Sequence, residues 1–399
     1  MKLSKWLFWM VMGLFSLVLG ACGDGGSSGG TGTGTGPAAS AKGAGTGAGT
    51  GAGTGAGTGK AAAEDLATKF KGKTLNLFTW EGYADPKFTK GFEEKYGVTV
   101  KGTYFGTSDE LVAKLKSSKG VYDIVSPSTD VARTLIETGL VDGIDLAKIS
   151  SFKDLAQALR DTKDVQKDGK TFGVPFTWGP DYLIYDADVI KEEPKSWSIF
   201  WDAKYKGKVS LWDDVSNIYL AGQVLGVDKT DQAALYNMSD EQLGEAKKKL
   251  IELKPQVRKY WATAGELNDL FKNKEVVLAV GWPLTVAALN GEKRNLKAVI
   301  PQEGATGWID RLMIVADSPN KELAHLYLDY VTQPKAQALV AEVTNYNIAN
   351  PRAAEHMSED LKKVVMADVD NMFKRLNFWQ HVKDRKKYNE IWNEVKAAK

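Results

Sequence analysis

Between Thr74 and Ser128 short apolar runs alternate with amphipathic stretches, and no other feature of the sequence narrows the possible folds as much. TLNLFTW reads as a strand. PKFTKGFEEKYG then sets Phe88, Phe92 and Tyr96 four apart on one helical face and stops at Gly97, which can take the left-handed conformation that ends a helix. VTVKGTYF alternates as a second strand. SDELVAKLKSS predicts a helix with Ser108 as N-cap, Glu110 in the first turn, and Leu111 and Leu115 facing inward. YDIVSPS is a third strand that runs into a turn. Strands separated by single helices pair in parallel through crossovers, so the fold class is α/β. Later strands are expected at KVSLW, VVLAVGW, LKAVIP and RLMIVAD, and helices at ELAHLYLDYVT, PKAQALVAEV and the end of the chain.

The N-terminus belongs to a different regime. Lys2 and Lys5 precede an apolar run from Trp6 to Leu19, and small residues lead into Cys22. Those 14 residues cover roughly 21 Å as a helix, short of the roughly 30 Å hydrocarbon core, so the segment reads as an export signal over residues 1–21. Leu19-Gly20-Ala21-Cys22 resembles the lipobox of bacterial lipoproteins, which implies cleavage before Cys22 and a lipid on that residue. Residues 22–59 are nearly all Gly, Ala, Thr and Ser, with GAGT repeated four times from Gly43 to Thr58. Such a stretch holds no core and acts as a flexible tether with a span of roughly 35 Å. Composition changes at Lys60, and the folded part begins near residue 64.

Charge and cysteine usage exclude several functions. With 52 Lys+Arg against 50 Asp+Glu the net charge is only +2, too little field to collect nucleic acid or to bind a bilayer by charge. The membrane is therefore reached through the lipid anchor alone. One cysteine and three dispersed histidines supply no disulfide and no soft metal site, and no metal or cofactor is expected. No phosphate-binding glycine loop, Ser-His-Asp order or HExxH motif occurs, so the chain reads as a non-enzyme. Arg258-Lys259-Tyr260-Trp261 mixes bases and aromatics but reads as packing or as a border of the cleft, and KDRKKYNE reads as a solvated helix face.

From about Leu75 onward the chain resembles the bacterial extracytoplasmic solute-binding proteins of the spermidine and putrescine branch. The resemblance rests on LFTWEGYADP, YDIVSPSTDV, GVPFTWGPDYLIYD, SWSIFWDAKYKGKVSLWDD, LAVGW, PQEGATGWID, NYNIANPRAA and FWQ, in that order. It implies a two-lobed periplasmic-binding-protein-like fold with a hinge and a central ligand cleft. The N-terminal lobe would comprise residues 60–178 plus 309–354, and the C-terminal lobe 179–308 plus 355–399. Crossings would fall near Gly179 to Leu183, Gly304 to Trp308 and Ala354 to Ser358.

Open α/β sheets hold ligands beyond the carboxyl ends of their strands. The cleft is thus expected from Trp80 and Tyr83, from Ser128 to Asp130, from Trp212 to Asn217, from Trp282, and from a loop at Trp308 to Asp310 before RLMIV. The resemblance implies ligand aromatics at Trp80, Trp282 and Trp308, carboxylates at Asp214 and Asp310, and an amide at Gln380. Aromatic faces and carboxylates suit an ammonium group, which needs an opposite charge to offset its lost hydration. The sequence departs from the polyamine pattern where WTEY becomes Trp80-Glu81-Gly82-Tyr83, where Asn217 replaces a glutamate and where Asp130 replaces an aromatic. Glu81 and Asp130 are then the replacement carboxylates. Arg311, beside Asp310, is expected to face away from the cleft. Asp213 is expected to point away from Asp214, which disfavours a hydrolase built on that pair.

The expected function is that of a lipid-anchored, extracytoplasmic, monomeric receptor. It captures a polyamine or related organic cation and delivers it to an ABC permease. A zwitterionic or quaternary ammonium solute is the alternative, and an extracytoplasmic hydrolase is a more distant one.

Overall fold

The computed structural model describes residues 66–366 and 369–398. The chain divides after Thr54, and every described residue belongs to the second unit, Gly55–Lys399. The expected signal, Cys22 and tether lie outside the described residues.

The alternating segment folds as its periodicity predicts. Strand Thr74–Thr79 pairs in parallel with Thr99–Tyr104 on one side and Ile124–Val125 on the other. Helix Pro86–Tyr96 starts on Asp85, whose side chain accepts from the Lys87 amide, buries Phe88, Phe92 and Tyr96, and ends on Gly97 at φ 64°. Helix Ser108–Ser117 differs at its start: Thr107 is the N-cap and accepts from the Glu110 amide. Ser108, freed from that role, is buried and donates to Asp130.

Two sheets organise the second unit. The larger runs in the order Asn347–Ile348, Val174–Pro180, Ala305–Val315, Ile124–Val125, Thr74–Thr79, Thr99–Tyr104, with Val141–Asp142 and Leu376–Phe378 also paired to Ala305–Val315. The smaller runs Val257–Trp261, Val209–Trp212, Leu278–Gly281, Tyr182–Asp186, Leu296–Val299. Each carries its own helices, which gives a two-lobed α/β fold. The chain passes from the large sheet to the small one between Val174–Pro180 and Tyr182–Asp186 and returns on the strand that starts at Ala305. At this junction the Asp181 amide donates to the Thr306 carbonyl at 2.9 Å and the Thr306 hydroxyl donates to the Asp181 carboxylate at 2.6 Å, tying the two passages together.

The passage expected near Ala354 to Ser358 lies later in the chain. Helix Glu359–Val365 packs on Pro334–Thr344 of the large-sheet lobe, and Phe373 lies edge-on to Trp178 at 5.3 Å. The chain reaches the small-sheet lobe at Arg375 and Asn377, which donate to the Pro301 and Gln232 carbonyls, and Arg385–Ala397 then packs on that lobe against Ser216–Leu225 and Asp240–Leu253. Apolar side chains such as Val365 and Phe373 have a buried surface waiting on the first lobe, and that holds the segment there.

Trp308 to Asp310, expected as a loop, lies inside the 11-residue strand Ala305–Val315, whose every residue is buried. The register against Val174–Pro180 shifts between Asp310 and Arg311, and this bulge sends both charged side chains into protein on different sides. Arg311 does face away from the cleft, but it is fully buried. It donates to the Leu159 carbonyl at 2.5 Å and the Thr162 hydroxyl at 2.7 Å, and pairs with Asp164 at 3.3 Å. The basic-aromatic run forms strand Val257–Trp261: Arg258 pairs with Glu275, Lys259 with Glu266, and Tyr260 lies edge-on to Trp392 at 5.0 Å. No described helix is long and apolar enough to cross a membrane.

Candidate ligand cleft

Where the strand ends of the two lobes face each other they enclose a cavity of about 230 Å³. Its wall is built from chain ends that the sheets deliver. Trp80 and Tyr83 follow Thr74–Thr79, Phe105 and Gly106 follow Thr99–Tyr104, and Ser128 follows Ile124–Val125. From the other lobe come Trp212, the last residue of its strand, and Trp282, the residue before helix Pro283–Gly291. Trp308 and Asp310 enter from the long strand. Gly179 opposite Trp308 leaves room for the indole, because a β-carbon there would meet Trp308 at 3.0 Å.

The indoles brace one another. Trp212 lies edge-on to Trp282 at 5.1 Å and to Trp80 at 6.0 Å, and stacks parallel with Trp379 at 6.0 Å. Trp261 backs Trp212 at 5.9 Å and donates to the Val280 carbonyl. Trp282 donates its indole N–H to Asp181 at 3.1 Å, and Trp308 packs edge-on to Tyr346 at 4.8 Å. Such pairs hold ring faces at fixed angles, and a ring face is what an organic cation seeks.

Asp310 supplies the buried negative charge in the wall. It is 3 % exposed and accepts from Ser128 on one oxygen and Tyr83 on the other, while Tyr83 shares a further bond with Thr177. Burial pushes its carboxyl up to about 7 even though Ser128 and Tyr83 pull the other way. Burial likewise raises Asp181 to about 6. A carboxylate held this far above its ordinary range lacks a cation, and a bound ammonium would supply one. Glu81 and Glu110 line the same cavity and are exposed.

Seven of the expected residues meet in this wall: Trp80, Glu81, Tyr83, Ser128, Trp282, Trp308 and Asp310. Four do not line it. Asp130 is buried against Arg385, which donates to it at 2.8 Å, so the protein itself neutralises this carboxylate. Asp214 turns back to accept the Ser216 amide at 2.8 Å at the start of helix Ser216–Leu225, and burial raises it to about 7. Asn217 donates to the Trp212 and Asp214 carbonyls and so braces the turn. Gln380 is exposed, and its neighbour Trp379 lines the cavity in its place. Asp213 points the other way from Asp214 and accepts from Trp392 and Lys396.

Trp212, which opens the expected stretch Trp212 to Asn217, lines the wall as well, since it ends a strand whose parallel partners point at the cleft. Other wall residues were not singled out from sequence. The same rule applied to Thr99–Tyr104 would have found Tyr104, Phe105 and Gly106. Tyr346 follows Asn345, which ends a helix at φ 55°, and no periodicity marks it. Among the described residues no group of three or more His, Cys, Asp or Glu could hold a metal ion.

The lobes stand closed on each other at the rim. The Trp212 indole donates across the cleft to the Gly106 carbonyl at 3.1 Å, and a β-carbon on Gly106 would lie 2.8 Å from the Ala262 carbonyl oxygen. Gly106 is absent from the residues with positive φ, so a methyl there strains the closed interface and not the backbone. Gly106→Ala is therefore expected to weaken solute binding by about 1 to 2 kcal/mol, roughly tenfold, with the unliganded thermal midpoint nearly unchanged. Titration calorimetry beside a thermal melt checks both halves of that expectation, and an unaltered affinity would contradict it.

Two lobes joined by crossing strands and closed over an aromatic cavity, with one buried carboxylate in its wall, define a solute-binding protein. The chain belongs to the bacterial extracellular solute-binding proteins, a family without enzymatic activity, whose sequence profile matches residues 87–368. It is 27% identical over 337 residues to the spermidine/putrescine-binding periplasmic protein of Salmonella typhimurium, covering 82% of this chain and 92% of that one. It is 26% identical over 349 residues to the putrescine-binding periplasmic protein PotF of Escherichia coli K12, with the same coverage of 82% and 92%. The structure of the PotD substrate-binding protein of a Streptococcus pneumoniae spermidine/putrescine ABC transporter superposes with a TM-score of 0.66 at 24% identity, over 81% of this chain and 98% of that one.

Proposed function

We propose that the chain is the lipid-anchored solute-binding component of an ABC importer and captures a polyamine or a related small organic cation. Asp310 carries this reading: a buried carboxylate with no cation, set in a wall of indoles, stabilises an ammonium group by charge and by ring faces together. The names of the Salmonella and Escherichia relatives support the solute class. The lipobox-like Leu19-Gly20-Ala21-Cys22 and the tether support anchoring at the outer face of a membrane, where the solute would pass to a permease. The two expected lobes, each discontinuous in sequence, supply the closing motion.

A second reading is favoured by the fate of Asp130 and Asp214. With one paired to Arg385 and the other turned to a helix start, Asp310 is the buried carboxylate that faces the cavity. A solute with a single charged head, such as a quaternary ammonium or an amino-acid derivative, matches that count better than a triamine.

Thermal melts of the purified chain against putrescine, spermidine, choline, betaine and γ-aminobutyrate decide between them. A solute present at 100 times its dissociation constant adds about 2.7 kcal/mol and should raise the midpoint by several degrees. A shift with diamines or polyamines supports the first reading, and a shift confined to singly charged solutes supports the second. No shift with any organic cation would end both.

A further inference from the structure

Arg385 opens helix Arg385–Ala397, which is fixed to the small-sheet lobe. Trp392 donates to Asp213 at 3.0 Å, and the Tyr388 hydroxyl donates to the Leu235 carbonyl at 2.9 Å. Its guanidinium leaves that lobe. Nε donates to Asp109 at 2.7 Å and Nη1 to Asp130 at 2.8 Å, both at helix starts of the large-sheet lobe. Ser108 donates to the other oxygen of Asp130 at 3.1 Å, so this carboxylate is served from both sides. The Arg385 side chain is 14 % exposed, Asp130 3 % and Asp109 39 %. None of the three lines the cavity.

A planar fork that reaches two carboxylates at once is something only arginine offers, and a partly desolvated pair is screened little by salt. A hinge opening that carries helix Arg385–Ala397 along with the small-sheet lobe would draw Asp109 and Asp130 away from Arg385 and leave their charges to water. The bond therefore exists only when the lobes are together, and its free energy belongs to the closed state. Because solute binds the closed state, the closed fraction of the empty protein multiplies the apparent affinity.

We propose that Arg385 sets solute affinity from outside the site, by latching the small-sheet lobe to Asp109 and Asp130 and holding part of the unliganded protein closed. The affinity arm of this proposal rests on the solute-binding reading; the conformational arm does not.

The test uses the full chain with Cys22→Ser and spin labels on Lys119→Cys and Lys248→Cys, two exposed positions on opposite lobes. Without solute, a short-distance population is expected in the parent chain. Arg385→Gln should reduce it at least about fivefold and weaken putrescine binding by about the same factor, while Arg385→Lys recovers part of both. Asp109→Asn, at a more exposed carboxylate, leaves no buried group unpaired and serves should Arg385→Gln fail to fold; it should move both readouts in the same direction by about threefold. Distance populations unchanged in the variants that fold would overturn the latch. If putrescine does not bind the parent chain, that failure belongs to the solute reading, and the distances still decide the latch.

Discussion

Replacing Asp310 by Asn is expected to weaken binding of an organic cation by 2 kcal/mol or more, about thirtyfold or worse, while the unliganded fold becomes no less stable. The two effects share one cause. Asp310 sits at 3 % exposure without a cationic partner, and burial raises its carboxyl to about 7, so ionising it costs the empty protein free energy. An asparagine keeps an oxygen for Ser128 or Tyr83 and removes the charge. A bound ammonium then meets indole faces but no opposite charge, and the hydration it lost goes unreplaced. Calorimetric titration with whichever cation shifts the melting point measures the first effect, and denaturant unfolding of the empty variant measures the second. Asp214→Ala provides the contrast: Asp214 lies outside the cavity wall, and its loss should cost affinity less than tenfold. Equal losses at both positions would show that the wall is drawn wrongly.

That contrast marks where sequence reasoning stopped. Parallel strands joined by helices were legible because their periods differ, and because Gly97 ends its helix by backbone geometry that few other residues reach. The direction of the cleft was legible for the same reason, since strand ends in an open sheet point one way. Which charged side chain turns into the cavity was not. Asp130 and Arg385 are 255 positions apart, and only the meeting of two lobes brings one to the other. In the sequence Arg385 is one of several bases in KDRKKYNE and carries no mark of burial. Asp310 and Arg311 look like a strand pair with opposite faces, yet a bulge buries both. Trp379 and Gln380 differ by one residue, and the Trp379 amide bonded to the Gly307 carbonyl at 2.7 Å fixes which of them meets the cavity.

Solute affinity should also fall as pH falls, about tenfold per unit once below 7. An aliphatic ammonium stays charged throughout this range, so the titrating partner is the protein. Asp310, raised to about 7, holds its proton below that pH, and a cation must displace it before the pair can form. Between pH 8 and pH 5.5 the expected loss is roughly thirtyfold, with proton release on binding visible in buffers of different ionisation enthalpy. The empty protein should follow the opposite course. Asp181, Asp214 and Asp310 all have folded values above the unfolded 3.8, so between about 4 and 7 the folded state binds more protons than the unfolded one. Their contribution to stability is therefore greatest on the acid side and is lost as pH rises through 6 to 7. Exposed acids such as Asp161 and Asp202, held low by neighbouring Arg160 and Lys204, act in the reverse sense but are screened by solvent. Solute binding ionises Asp310, so the midpoint shift it produces should be small at pH 5.5 and grow toward pH 8. In Asp310→Asn that growth should vanish. Affinity that stays flat across the range in the parent chain would mean that the cation finds its charge elsewhere, with Glu81 and Glu110 at the cavity wall the next carboxylates to replace.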